Sequence, residues 1–316
     1  MSDFPGNGKK VGVVGIPLGY GAGQFGSDLG VTSIRFASVR GQRLTEHITE
    51  LGYELKDYGN VDVIQPEKIA EKEENPKYLK EMLASCRNMA TDVGRILADG
   101  AIPVILGGDH AIAMGTFSGI AKHYKDKNEE IGLIWFDAHA DMNTPETSPS
   151  GNLHGMPLAT LLGVGEKTLV NLHGFAPKLD PKYCAHIGAR DLDAGEKRWI
   201  RELGLADHFF TMRDIDEFGM KECVDKAVAI ASRASGGYAV TFDVDVIDPR
   251  FAPGSGTLVR GGLTYREAHL GLELIAEQGG MRSFEIVEVN PILDQGNLTA
   301  ELAVELILSA LGKTIL

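Results

Sequence analysis

Residues 131–143 read Ile-Gly-Leu-Ile-Trp-Phe-Asp-Ala-His-Ala-Asp-Met-Asn, a run without polar side chains that ends in Asp137, His139 and Asp141. A short apolar run with no polar alternation suits a strand covered on both faces, the usual condition of parallel strands in α/β proteins. Open parallel sheets carry their ligand sites beyond the C-terminal ends of the strands. The acids and imidazole after Phe136 therefore predict a sheet and a site at its edge together.

Working outward, similar runs lie at 11–16, 102–106, 184–187, 238–242 and 282–289, with 131–136 among them. Between them fall helical patterns at 33–50, 66–99, 111–123, 157–162, 194–203, 221–232, 264–277 and 298–311. Pro76 breaks the second of these into two pieces. Thr264 followed by Glu267 has the spacing of a capping box. The polar stretches 71–77 and 122–130 read as solvated helix ends or loops. Alternation of strands and helices, with no linker and no internal repeat, predicts one domain over 1–316. Its class is α/β, a three-layer α/β/α arrangement around a mostly parallel central sheet.

Composition narrows the function classes. The 316 residues are 43% apolar, too much for a disordered chain. Lys and Arg number 31 against 44 Asp and Glu, a net charge of −13, which gives nucleic-acid binding no support. Glycine is roughly 12% of the chain (39 residues), against about 7% usually, and is scattered through turns. Cys86, Cys184 and Cys223 form no CxxC pair and read as buried thiols in a reduced, cytoplasmic compartment. The polar start lacks the apolar stretch of a signal peptide, and no run approaches the length of a membrane span.

The chemistry gathers after the strands. Gly107-Gly108-Asp109-His110 follows 102–106, Asp243-Val-Asp245-Val-Ile-Asp248-Pro249 follows 238–242, and Glu288-Val-Asn290-Pro291 closes the last strand. On an extended segment Asp137, His139 and Asp141, spaced two apart, point to one side, and Asp243 and Asp245 repeat that spacing. Four carboxylates at the mouth of an apolar sheet repel one another unless cations join them. His110, Asp137, His139, Asp141, Asp243 and Asp245 are more ligands than one ion needs beside a water, so two ions sharing Asp137 and Asp243 is the economical arrangement. Oxygen-rich ligation with two imidazoles and no thiolate favours Mn2+ over Zn2+. Two such ions lower the pKa of a shared water towards neutrality, which makes hydrolysis the natural reaction. A metal-dependent phosphoesterase would want basic residues beside these motifs, and none is there. Gly21, Gly23 and Gly26 lack the Gly-Lys-Ser/Thr of a phosphate loop. Trp135 and Phe136 read as core residues.

These residues resemble the ureohydrolase family, and within it the arginases of the bacterial type. The resemblance rests on GGDHAIAMGT (107–116), WFDAHADMNTPETSPSGNLHGMPLATLLG (135–163), IGARDLDAGE (187–196), FDVDVIDP (242–249) with APGSGT (252–257), GGLTYRE (261–267) and EVNPILD (288–294), in family order and at family spacing. It covers nearly the whole chain. It implies two Mn2+ per subunit, one held by His110, Asp137, Asp141 and Asp243, the other by His139, Asp137, Asp243 and Asp245. The bridging hydroxide would attack the guanidinium carbon of L-arginine and give L-ornithine and urea. His154 resembles the family's proton shuttle, with a helix-start hydrogen bonder as the bland alternative. Asp141 would also hold the hydroxide and Glu288 would pair with the guanidinium.

By the same resemblance Asn143, Ser150 and Asn152, assisted by Ser148, contact the α-carboxylate. Asp193 and Glu196 accept the α-ammonium, and Thr257 lies near the guanidinium. Asn143 and Ser150 also suit plain turns, and Asp193 a helix cap. The family implies a homo-oligomer, trimeric or hexameric. Val246, Leu258 and Val31 depart from the usual pattern, Val246 towards agmatinase relatives. Alternatives are an agmatinase or another guanidino-compound hydrolase and, remotely, a non-catalytic metal-bound subunit.

Overall fold

Every strand of the sheet runs parallel to its neighbours. The computed structural model describes residues 5–71 and 74–315. The ends of the expected 1–316 domain and two positions of the polar stretch 71–77 lie outside the described residues. In chain order the strands are β1 (Lys10–Ile16), β2 (Glu54–Asn60), β3 (Ala101–Gly107), β4 (Gly132–Phe136), β5 (Cys184–Ile187), β6 (Phe209–Phe210), β7 (Tyr238–Asp243) and β8 (Met281–Val287). They form one sheet of order β2-β1-β3-β8-β7-β4-β5-β6.

Strand alternation divides the core in two. Along β4, Ile134 and Phe136 pack into one apolar cluster and Leu133 and Trp135 into the other, and all four are fully buried. The first cluster is closed by Gly30–Phe36, Leu44–Glu50, Met212–Phe218, Met220–Ala231, Tyr265–Gln278 and Leu298–Ala310. Leu79–Ala98, Ala113–Lys125, Pro157–Leu161 and Ala194–Glu202 close the second. Helices on both faces of a parallel sheet make the expected three layers.

Differences from the sequence reading have local causes. β2 (ELKDYGN) is an edge strand with its side chains mostly in solvent, so it lacks the apolar run that marks the inner strands. β6 has only two residues. The 33–50 pattern is two helices, Gly30–Phe36 and Leu44–Glu50, separated by a turn with Arg40 and Gly41 at positive φ. The 66–99 pattern is helical only over Leu79–Ala98, well after Pro76. Met212–Phe218, capped by Thr211 and Asp214, was not expected. The Thr264–Glu267 box is present in both directions.

The topology decides where chemistry converges. β3 and β4 are consecutive in sequence but separated in the sheet by β8 and β7, which return late in the chain to fill the gap. The loops after these four neighbouring strands open together, as at the switch points where α/β sheets bind ligands. No helix among the described residues is long and apolar enough to cross a membrane.

Candidate metal centre

Two turns of the same kind deliver the acids. β4 ends at Phe136, and the next residues are not extended: Asp137 Oδ1 accepts the His139 N–H at 2.7 Å. Asp243 closes β7 in the same way, its Oδ1 accepting the Asp245 N–H at 2.8 Å. Both are Asp side chains capping the backbone two residues on. The one-sided extended segment expected from the spacing is thus replaced by a bend, with Asp141 at φ 54. A non-glycine residue in that region signals a position the surroundings impose, and such residues cluster at functional sites.

The six expected ligands form two groups that share one residue. His110 Nδ1 lies 3.1 Å from Asp137 Oδ2, 3.1 Å from Asp141 Oδ2 and 3.2 Å from Asp243 Oδ2. His139 Nδ1 lies 3.3 Å from Asp137 Oδ1 and 3.1 Å from Asp245 Oδ2. Asp137 therefore turns one oxygen to each group. Asp243 turns Oδ2 to the His110 group, and its Oδ1 accepts the amide of Asp245, a member of the other group.

His110 Nδ1 and Asp141 Oδ2 are buried without hydrogen-bond partners, although they face each other. Burial and the Asp137 charge push Asp141 well above the usual carboxylate range. Burial, then Asp245 and Asp137, do the same to Asp243. Burial also opposes ionisation of Asp137, but the two imidazoles hold it well below that range. Orphaned acceptors and mutually repelling acids around a common centre fit divalent cations.

A supporting layer fixes the imidazole. His110 Nε2 is 3.1 Å from Thr241 Oγ1, whose hydroxyl donates to buried Glu285, as does that of Thr116. With its hydroxyl proton committed to Glu285, Thr241 accepts from Nε2, which fixes the ring with Nδ1 facing the acids. Trp135 stacks on the His110 ring with 4.2 Å between centroids and donates from Nε1 to Asp137 Oδ2 at 3.1 Å. It is thus a supporting residue as well as core. Thr241→Val keeps the volume and removes the acceptor. We expect metal affinity at the His110 group to fall roughly 10–100-fold while the His139 group is spared, as read by metal titration. Equal weakening of both groups would contradict this assignment.

Above the acids opens a cavity of about 190 Å3, lined by His110, His139, Asp141, Asn143, His154, Gly155, Asp191, Asp193, Glu196, Asp243 and Thr257. Of the expected substrate residues, Asn143, Asp193, Glu196 and Thr257 thus line it. Their polar atoms are also bound to one another. Asp193 caps Ala194–Glu202 in a reciprocal box with Glu196, and Asn143 Nδ2 donates to Asp193 Oδ2 at 2.8 Å. Thr257 donates to Asp245 Oδ2 at 2.8 Å, so it orients an acid of the centre.

Ser148, Ser150 and Asn152 stand on the adjoining loop and do not line the cavity. Each serine oxygen accepts a backbone N–H of that loop. Asp191, two residues before Asp193, faces the cavity unanticipated; the alternating Asp-Leu-Asp spacing was the available signal. Val246 does not reach the cavity: it is fully buried and packs where a side chain on Gly188 would sit. Leu258 and Val31 are also outside the lining, the former half in solvent and the latter in the core.

His154 Nδ1 lies 3.2 Å from Glu288 Oε1, which also accepts the His110 N–H at 2.9 Å. Glu288 follows β8 at φ 65, and that turn swings its carboxylate beneath His154. Burial lowers the His154 pKa, but Glu288 and Asp109 more than offset this, and the net shift is upward. Asp109 holds the N–H groups of Gly21 and Ala22, and the Gly21 carbonyl accepts the His154 N–H. The free cysteines are buried away from the site, with Cys86 pushed up to about 12 by burial.

Comparison with known proteins gives one answer. The Arginase family model matches residues 9–312. The arginase of Bacillus subtilis is 45% identical over 98% of this chain and 99% of its own. That of Bacillus caldovelox is 41% identical over 98% and 100% respectively. The solved structure of the Bacillus caldovelox arginase superposes with a TM-score of 0.90, covering 98% of this chain and 100% of that one.

Proposed function

The chain belongs to the arginase family, and from that premise we propose that it is a metal-dependent hydrolase cleaving L-arginine to L-ornithine and urea. We read it as a single domain over 1–316, working in the cytoplasm as a homo-oligomer, a trimer or hexamer, with two Mn2+ per subunit. The observation that carries the reading is the pair of acid–imidazole groups joined through Asp137 at the floor of a cavity walled by Asp191, Asp193 and Glu196.

His110, Asp137, Asp141 and Asp243 would hold one ion; His139, Asp137, Asp243 and Asp245 would hold the other. When bound, the pair supplies Lewis acidity and lowers the pKa of water to near neutrality. The protein's own groups do the rest. A guanidinium is resonance-stabilised, so it must be held in line with the attacking water. Glu288 offers its second oxygen to the guanidinium, Asp141 accepts a hydrogen bond from the water, and Asp193 with Glu196 draws the α-ammonium to the far wall. His154, kept basic by Glu288, delivers the proton without which the amine cannot leave.

A hydrolase of guanidinobutyrate, which has no ammonium, would need the same floor but not the same acidic wall. Asp193→Asn separates the two readings, because Asn caps a helix as well as Asp does while the charge is gone. KM for L-arginine should rise roughly 10-fold, as for loss of a hydrogen bond to a charged group, with guanidinobutyrate, which has no ammonium, little changed. Equal losses on both substrates would remove Asp193 from ammonium recognition.

A further inference from the structure

The two acid–imidazole groups are supported differently. Thr241 and Trp135 back the His110 ring. The His139 ring stands a quarter exposed at the cavity, and among the described residues no side chain is hydrogen-bonded to its Nε2. The acid that this group does not share is Asp245. Its Oδ1 accepts the Ala138 N–H at 3.2 Å and its Oδ2 accepts the Thr257 hydroxyl at 2.8 Å. Those donors belong to different loops, so the carboxylate stays aimed at His139 only while the loops keep their spacing.

Arg190, in the loop after β5, sets that spacing. Its Nη2 donates to the main-chain carbonyls of Asp245 and Val259, each at 2.7 Å, and its Nη1 to that of Val246 at 3.1 Å. Its own backbone N–H donates to the Ala138 carbonyl at 2.8 Å. One residue thus ties together the three segments that meet at the Asp245 carboxylate. Asp137, Asp243, Asp245 and Asp248 all lie close enough to act on its charge. A guanidinium in such company ordinarily forks onto a carboxylate. Among the described residues Arg190 makes no ion pair and grips carbonyls instead, so it takes no ligand oxygen away from a metal ion. Gly262 leaves it room, since a Cβ there would lie 2.5 Å from Nη2.

We infer that Arg190 is the positioning residue of the second metal site, holding the Asp245 carboxylate in place for the ion of the His139 group through the main chain. The inference rests on the two-ion reading above. It is tested with Arg190→Met, which keeps the stem and removes every side-chain donor, and Arg190→Lys, which keeps the charge on one nitrogen in place of a fork. Mn2+ is titrated calorimetrically into the metal-free full chain, and EPR spectra are recorded at matched Mn2+.

In Arg190→Met one Mn2+ should bind as in the unaltered protein and the other roughly 10–100-fold more weakly, the scale for loss of an outer hydrogen-bonding partner. Where the unaltered protein shows a spin-coupled pair, the variant should show isolated Mn2+. Arg190→Lys should lose the same ion by a smaller factor. In the double variant with Thr241→Val both ions should be weakened, because the two residues serve different groups. One ion still at full affinity in that double variant would place Arg190 on the His110 side and end the inference. An arginine that only supports the fold would weaken both ions together, and that result, or no change in either, overturns the inference. If Arg190→Met does not fold, Arg190→Lys decides by the same criteria. Uptake of a single Mn2+ by the unaltered protein would be seen first, and would remove the two-ion reading and this inference with it.

Discussion

Asp137→Asn should fold as the parent does, bind divalent metal more than about 100-fold more weakly, and release urea only at the assay floor. Asp137 gives an oxygen to each acid–imidazole group, Oδ2 towards His110 and Oδ1 towards His139. An amide of the same shape keeps one oxygen and turns an N–H2 towards the other group, so it cannot serve both. Loss of an outer hydrogen-bond partner already costs roughly 10–100-fold in metal affinity, and loss of the shared ligand must exceed it. The measurement is metal content after dialysis against a range of Mn2+ concentrations, paired with urea release. Full metal content together with full activity would dissolve the two-group centre.

His154→Ala should give the opposite pattern: metal content nearly intact, and kcat lowered by about 10²–10⁴-fold, the usual contribution of a positioned acid or base. His154 lines the cavity and is hydrogen-bonded to Glu288, whose carboxylate also holds the His110 backbone. Removing the imidazole therefore leaves all six candidate ligands in place. Burial works against the protonated form, but Glu288 and Asp109 outweigh it and keep the imidazole more basic than usual. A proton is then at hand for the departing amine. If His154→Ala lost its metal with its activity, the proton-delivery role would be wrong and His154 would belong to the metal centre.

Much of this was legible in the sequence because inner parallel strands and their trailing loops write themselves in contiguous letters. The run 131–136 is apolar at every side chain because both of its faces are covered, and the acids follow at once because the strand ends there. β2 was not legible, since an edge strand that shows its side chains to water carries no such run. Nor were the supports. Thr241 and Glu285 lie within strands and look like chance polar residues until the register puts Thr241 beside Glu285. The way the acids converge was likewise misjudged, because equal spacing fits both an extended strand and an Asp-capped bend. Only the backbone distinguishes them.

The most direct test of the central claim is urea release by the Mn2+-loaded protein, with L-arginine, agmatine and guanidinobutyrate compared at matched concentration and alkaline pH. L-arginine should lead by a wide margin, because it alone offers both the α-ammonium for the Asp193 wall and the carboxylate for the loop that carries Ser148, Ser150 and Asn152. Agmatine or guanidinobutyrate in the lead would preserve the metal centre and overturn the recognition of both ends. No urea from any of the three would contradict the hydrolase itself.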